Sequence, residues 1–226
     1  MLTKGRSRIF DLKNGVWHSD PETLYLLSLE LLKSDNQREQ KNAFKYLEKA
    51  CAHDHPQALF TAYQWYLDGV NCVADKEKAL TYLQRSATQG NPQAMVTLGN
   101  IYRTGLDGVE KDCEKALDYY LQAANMGNME AQFRVGKAYA ESDGCEKNCN
   151  EAKNWYEKAA AQGHDEAMYC LGQIYGGGRN GIVKDYEKAF MYYLRSAPCA
   201  GLRYAQLRGR LRGLRKQRYG QLRRCA

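Results

Sequence analysis

The sequence predicts an all-α solenoid, a stack of paired helices sharing one continuous core. Two periodic series carry this reading. Ala43, Ala79, Ala116, Ala152 and Ala189 lie 36, 37, 36 and 37 residues apart, and each opens a similar phrase: AFKYLEKAC, ALTYLQRSA, ALDYYLQAA, AKNWYEKAA and AFMYYLRSA. Ala58, Ala94, Ala131 and Ala167 lie 36, 37 and 36 apart, the last three opening AMVTLGNIY, AQFRVGKAY and AMYCLGQIY. Self-similarity at such a period marks supersecondary units that cannot bury their apolar faces alone and so must stack.

Taken in chain order, residues 1–19 form an N-terminal extension. Pro21, after Ser19-Asp20, suits the first position of a helix, and residues 20–55 read as a degenerate first unit, ETLYLLSLELLK followed by NAFKYLEKACAH. In the units that follow, the first helix carries an apolar stripe. Ala94, Leu98 and Tyr102 stand at i, i+4 and i+8, with Ile101 beside them. Gly99, Gly136 and Gly172 recur inside these helices although glycine there costs about 1 kcal/mol relative to alanine, so a paired helix is expected to come very close. The second unit has Tyr63 instead, and its packing should be looser or altered. In the second helix Ala116, Tyr119, Tyr120, Ala123 and Ala124 form the inward stripe. Gly90, Gly127 and Gly163 suit left-handed caps, and Pro92 a new helix start.

These phrases resemble Sel-1-like repeats, relatives of the tetratricopeptide repeat, strongly over residues 56–197. The resemblance implies a right-handed α/α superhelix of antiparallel helix pairs, adaptor or assembly work, and no shared chemistry. It also implies that first helices line a concave face. By position that face should receive Phe60, Gln64 and Asp68, then Val96, Asn100 and Arg103, then Phe133, Lys137 and Glu141, then Tyr169 and Gln173. Phe60, Phe133 and Tyr169 would form an aromatic ladder beside a polar one, the composition of a peptide-binding surface. The alternative is that these rings fill space between neighbouring units.

Features suggestive of chemistry have plainer readings. His53-Asp54-His55 aligns with the inter-unit turn at Gln89–Asn91. The loop GGGRNG at Gly176–Gly181 lacks the lysine and hydroxyl residue of a phosphate-binding loop. Cys145 and Cys149 lie four apart with no second pair to complete a zinc set, and Cys145 aligns with Val109 and Ile182 as a loop anchor. Some cysteine-rich proteins with such repeats are described as β-lactamases, which makes an exported enzyme the alternative reading. None of the seven serines has lysine three residues on, and Cys51, Cys72, Cys113, Cys145, Cys149 and Cys170 do not recur once per helix. No enzymatic activity, metal or cofactor is expected.

The net charge of +7 is local: from Pro198 onward there are eight Arg, one Lys and no acid, leaving 24 bases against 26 acids in the rest. Residues 198–226 should therefore be poorly ordered. They are the one place where nucleic acid or an anionic surface could be gripped. The repeat phase also breaks off after Ala197, and the codons of Pro198–Arg203 read one nucleotide on permit Ala-Gln-Gly-Tyr-Ala, which restores the missing turn. A frame-shifted further repeat is thus expected, and with it an uncapped last helix prone to self-association. No apolar run is long enough for a membrane span or a secretory signal, so a cytoplasmic protein with reduced thiols is expected, bound to a protein or peptide partner.

Overall fold

The computed structural model describes residues 20–70, 72–106, 108–178 and 181–196. The expectations for the extension 1–19 and the basic segment 198–226 fall outside these residues. Among the described residues there are ten α-helices and no strand. They are α1 (Pro21–Leu32), α2 (Gln37–Ala52), α3 (Pro56–Asp68), α4 (Lys76–Thr88) and α5 (Pro92–Thr104). The remainder are α6 (Cys113–Asn125), α7 (Met129–Glu141), α8 (Cys149–Ala161), α9 (Asp165–Gly177) and α10 (Tyr186–Arg195).

The chain divides into two units, Met1–Asn128 and Met129–Ala226. In the first, α1 packs on α2, α3 on α4 and α5 on α6, while α2 also touches α3 and α4 touches α5. In the second, α7 pairs with α8 and α9 with α10, with α8 against α9. Each odd-numbered helix thus opens a repeat and each even-numbered one closes it. The architecture is all-α, a succession of stacked helix pairs.

Helix starts are set by short polar side chains. At the starts of α1–α6 and α8–α10 the preceding residue accepts a hydrogen bond from a first-turn backbone amide. Most of these caps are Asp or Asn, the residues that best satisfy such orphan donors. Two of them, His55 and His164, are histidines. Pro21, Pro56 and Pro92 occupy first positions where their missing N–H costs nothing.

The recurring glycines are where paired helices touch. A Cβ added at Gly99 would lie 2.5 Å from Tyr120 Cε1, one at Gly136 2.7 Å from Tyr156 Cδ1, and one at Gly172 2.6 Å from Tyr193 Cε1. Each tyrosine ring occupies the space an alanine methyl would need. The repeat register explains the altered second unit. Where Gly99 becomes Tyr63, the position of Tyr120 becomes Leu83, and in the first repeat the two positions are Ser28 and Leu47. Leu47, Leu83 and Ser28 are fully buried, while Tyr63 is only half-buried and packs against Phe60.

The core of the first unit runs through Leu24, Leu27, Leu31, Leu47, Leu59 and Trp65. That of the second runs through Phe133, Tyr156, Met168, Leu171 and Tyr175. A second aromatic motif recurs: Tyr66 stacks on Tyr82 at 5.4 Å, Tyr102 on Tyr119 at 5.7 Å and Tyr175 on Tyr192 at 5.8 Å. Lys78, Lys115 and Lys188 each lie over the first ring of the pair.

First helices end on a left-handed residue, Gly69, Gly105 and Gly178 in α3, α5 and α9. After α7 the same place is held by Ser142 at φ 63°. A side chain with a Cβ is strained there by about 1 kcal/mol. Ser142→Gly is therefore expected to raise stability by about 0.5–1 kcal/mol in urea unfolding.

Candidate functional site

The candidate positions on the first helices α3, α5, α7 and α9 lie about one turn apart along each helix. In α3 these are Phe60, Gln64 and Asp68, the ring half-buried and the other two exposed. Phe60 lies 5.8 Å from Tyr63, forming a tilted aromatic pair. In α5, Asn100 and Arg103 are half-buried, and Val96 is buried at 8% exposure. The Tyr120 hydroxyl donates to Asn100 Oδ1 at 2.8 Å, which fixes the carboxamide and turns its N–H₂ away from the ring. The same tyrosine therefore fills the space beside Gly99 and orients a polar group on the outer face.

In the second unit, Lys137 Nζ lies 3.9 Å from Glu141 Oε1 on α7, with both side chains substantially exposed. On α9, Gln173 is exposed and donates to the Tyr169 hydroxyl at 3.1 Å, while the Tyr169 ring lies 5.6 Å from Tyr193. Phe133 is only 5% exposed, its ring 4.4 Å from His164 and 5.8 Å from Tyr156. Phe133 and Val96 are thus buried, whereas Phe60 and Tyr169, at the same position of their helices, are half-buried. The outer faces keep Phe60, Gln64, Asp68, Asn100 and Arg103 in one unit. In the other they keep Lys137, Glu141, Tyr169 and Gln173.

The inter-unit turns hold groups that sequence reasoning passed over. His55 Nε2 meets Glu22 Oε2 at 2.7 Å, and His164 Nε2 meets Glu130 Oε2 at 3.1 Å. Glu130 also accepts from Arg134 Nε at 2.6 Å. The hydrogen bond with His164, helped by Arg134, holds the Glu130 carboxyl down at about 2 despite partial burial. In the HDH stretch, Asp54 takes the left-handed place of Gly90 at φ 54° and is anchored by Arg85 Nη2 at 2.6 Å. The alignment of His55 and His164 with Asn91 was the available signal for all of this.

The six described cysteines are free thiols. Burial pushes Cys51 up to about 12 and raises Cys72, Cys145 and Cys170, so these four stay protonated and weakly nucleophilic at neutral pH. Among the described residues no group of three or more His, Cys, Asp and Glu side chains is placed to hold a metal ion, and no helix is long and apolar enough to cross a membrane.

Five consecutive stretches, residues 21–55, 58–91, 92–128, 130–164 and 165–197, match the Sel1 repeat. The chain belongs to the Sel1 repeat family. A Sel1 repeat protein from Oxalobacter formigenes is 30% identical over 80% of this chain and 73% of its own, with a TM-score of 0.70. The protein c5321, a protective antigen present in uropathogenic Escherichia coli strains, shares the fold with a TM-score of 0.76 at 22% identity. It covers 84% of this chain, which spans 40% of that longer protein. No curated protein matches the sequence. Sel1 repeats as a family serve protein interaction.

The Glu130 cluster yields a pH prediction. Its folded value lies below the ordinary carboxylate value of 4.5, so its contribution is fully present above about 4.5 and is lost as pH falls through about 2. Urea unfolding of wild-type chain should therefore weaken more steeply from pH 5 to pH 2 than that of Glu130→Gln. Parallel slopes would show that the carboxylate contributes nothing.

Proposed function

We propose that this chain is a non-catalytic cytosolic scaffold whose first helices hold an extended segment of a protein partner on their outer faces. The observation that carries the reading is the fixed Asn100 carboxamide, held by Tyr120 across the helix pair. A peptide backbone presents one donor and one acceptor per residue, and a carboxamide offers both, so an oriented amide pairs with main chain regardless of partner side chains. Gln64 in the same unit and Gln173 in the other add carboxamides on exposed positions. The Phe60–Tyr63 pair and Tyr169 supply apolar area for the partner's side chains.

The reading is tested with peptides selected from a random displayed library against the full chain. Affinities are then measured by fluorescence anisotropy for face variants Gln64→Arg and Gln173→Arg and for outer-surface controls Lys45→Glu and Asp118→Arg on second helices. Face variants should bind about tenfold more weakly and controls within about twofold of wild type. Full affinity in both face variants, or equal losses in the controls, would contradict the assignment.

A further inference from the structure

Two junctions in this chain are fastened by the same arrangement, and it is built on an imidazole. His55 Nδ1 accepts from the Ala58 amide at 3.1 Å, and His164 Nδ1 accepts from the Ala167 amide at 3.3 Å. Each ring therefore serves as the N-cap of a repeat's first helix, α3 or α9. The opposite ring nitrogen, Nε2, reaches a glutamate at the second position of the preceding repeat's first helix, Glu22 in α1 or Glu130 in α7. An aromatic ring four residues into that earlier helix packs on the imidazole: Tyr25 at 5.1 Å and Phe133 at 4.4 Å. Both side chains are only 11% exposed.

The chemistry of this arrangement is restrictive. An Nδ1 that accepts from a backbone amide must be bare, so the proton of the neutral ring sits on Nε2 and is donated to the carboxylate. One neutral imidazole thus ties two successive first helices together. A second proton can only go on Nδ1, where it would point at a backbone N–H on the positive end of a helix. The cap is then lost while the Nε2 link to the carboxylate survives as an ion pair.

We propose that His55 and His164 are acid-released caps, which unfasten the first turns of α3 and α9 when the imidazoles protonate. Asn91 caps α5 from the same repeat position through an amide, accepting from Ala94 at 3.2 Å, and does not titrate. Acid therefore acts selectively on the two histidine junctions. The charged groups around His55 are Glu22 and Asp20 at the start of α1, with Asp54 beside it in the chain and Arg85 of α4 paired to Asp54. Around His164 they are Glu130 and Arg134 from α7, and Asp165 and Glu166 in the first turn of its own helix. At both junctions a proton on Nδ1 releases the cap. The inference is independent of whether the outer face binds a partner.

Nuclear magnetic resonance on the full chain tests it. At pH 8 the ring ¹⁵N shifts of both histidines should report a protonated Nε2 and a bare Nδ1. On acidification from pH 8 to pH 5, the exchange protection factors of the Ala58 and Ala167 amides should fall about tenfold, the worth of a lost cap, while Ala94 stays constant. In His55→Asn and His164→Asn, which keep an acceptor, protection of the corresponding amide should no longer change with pH. A protonated Nδ1 at pH 8, or protection at Ala58 or Ala167 that tracks Ala94 through the titration, would overturn the proposal.

Discussion

In three helix pairs of this protein, α5–α6, α7–α8 and α9–α10, the approach is so close that one residue must be nearly without a side chain. Gly99, Gly136 and Gly172 lie beneath tyrosine rings that leave no room for a methyl group. Glycine weakens an isolated helix, so its recurrence is explained by what it admits: a large, buried aromatic ring directly against the neighbouring backbone. The ring then fixes rotation and register within the pair, because a slide of one residue would bring a Cβ into it. Earlier repeats carry other pairs at these two positions, Tyr63 with Leu83 and Ser28 with Leu47.

The close approach also reaches the surface. Because Tyr120 crosses beneath Gly99, its hydroxyl emerges beside Asn100 and orients that amide. A packing residue therefore positions a polar group on the outer face. Between repeats the interactions are different in kind. There, polar side chains reach back to earlier helices: Asn91, in the turn before α5, donates to the Pro56 carbonyl of α3, and Arg85 of α4 donates to the Cys51 carbonyl of α2. Apolar contacts run through successive pairs in each core, and these directional hydrogen bonds add to them between repeats.

The fold was legible because its period is written in small residues, and alanines and glycines at fixed spacing leave few alternatives. The glycine contacts could be inferred for the same reason, although the identity of the opposing ring required the register between helices. The outer face was only partly legible. Val96 and Phe133 share a helical position with the half-buried Phe60 and Tyr169 yet are buried, Phe133 by the His164 and Tyr156 rings that neighbouring elements bring against it, while Gln64 and Gln173 stay out. The histidine caps escaped notice because histidine is an uncommon capping residue. A polar turn explained HDH well enough until the Glu22 and Glu130 partners, 33 and 34 residues away, came into view.

A double-mutant cycle at Gly99 and Tyr120 tests the central contact most directly. Gly99→Ala alone should destabilise the chain by about 1–2 kcal/mol in urea unfolding, because overpacking outweighs the gain in helix propensity. In the Tyr120→Leu background the same change should become neutral or stabilising, giving a coupling energy of at least about 1 kcal/mol. Additive effects, or an alanine at 99 that stabilises the wild-type chain, would show that the helices do not depend on this contact.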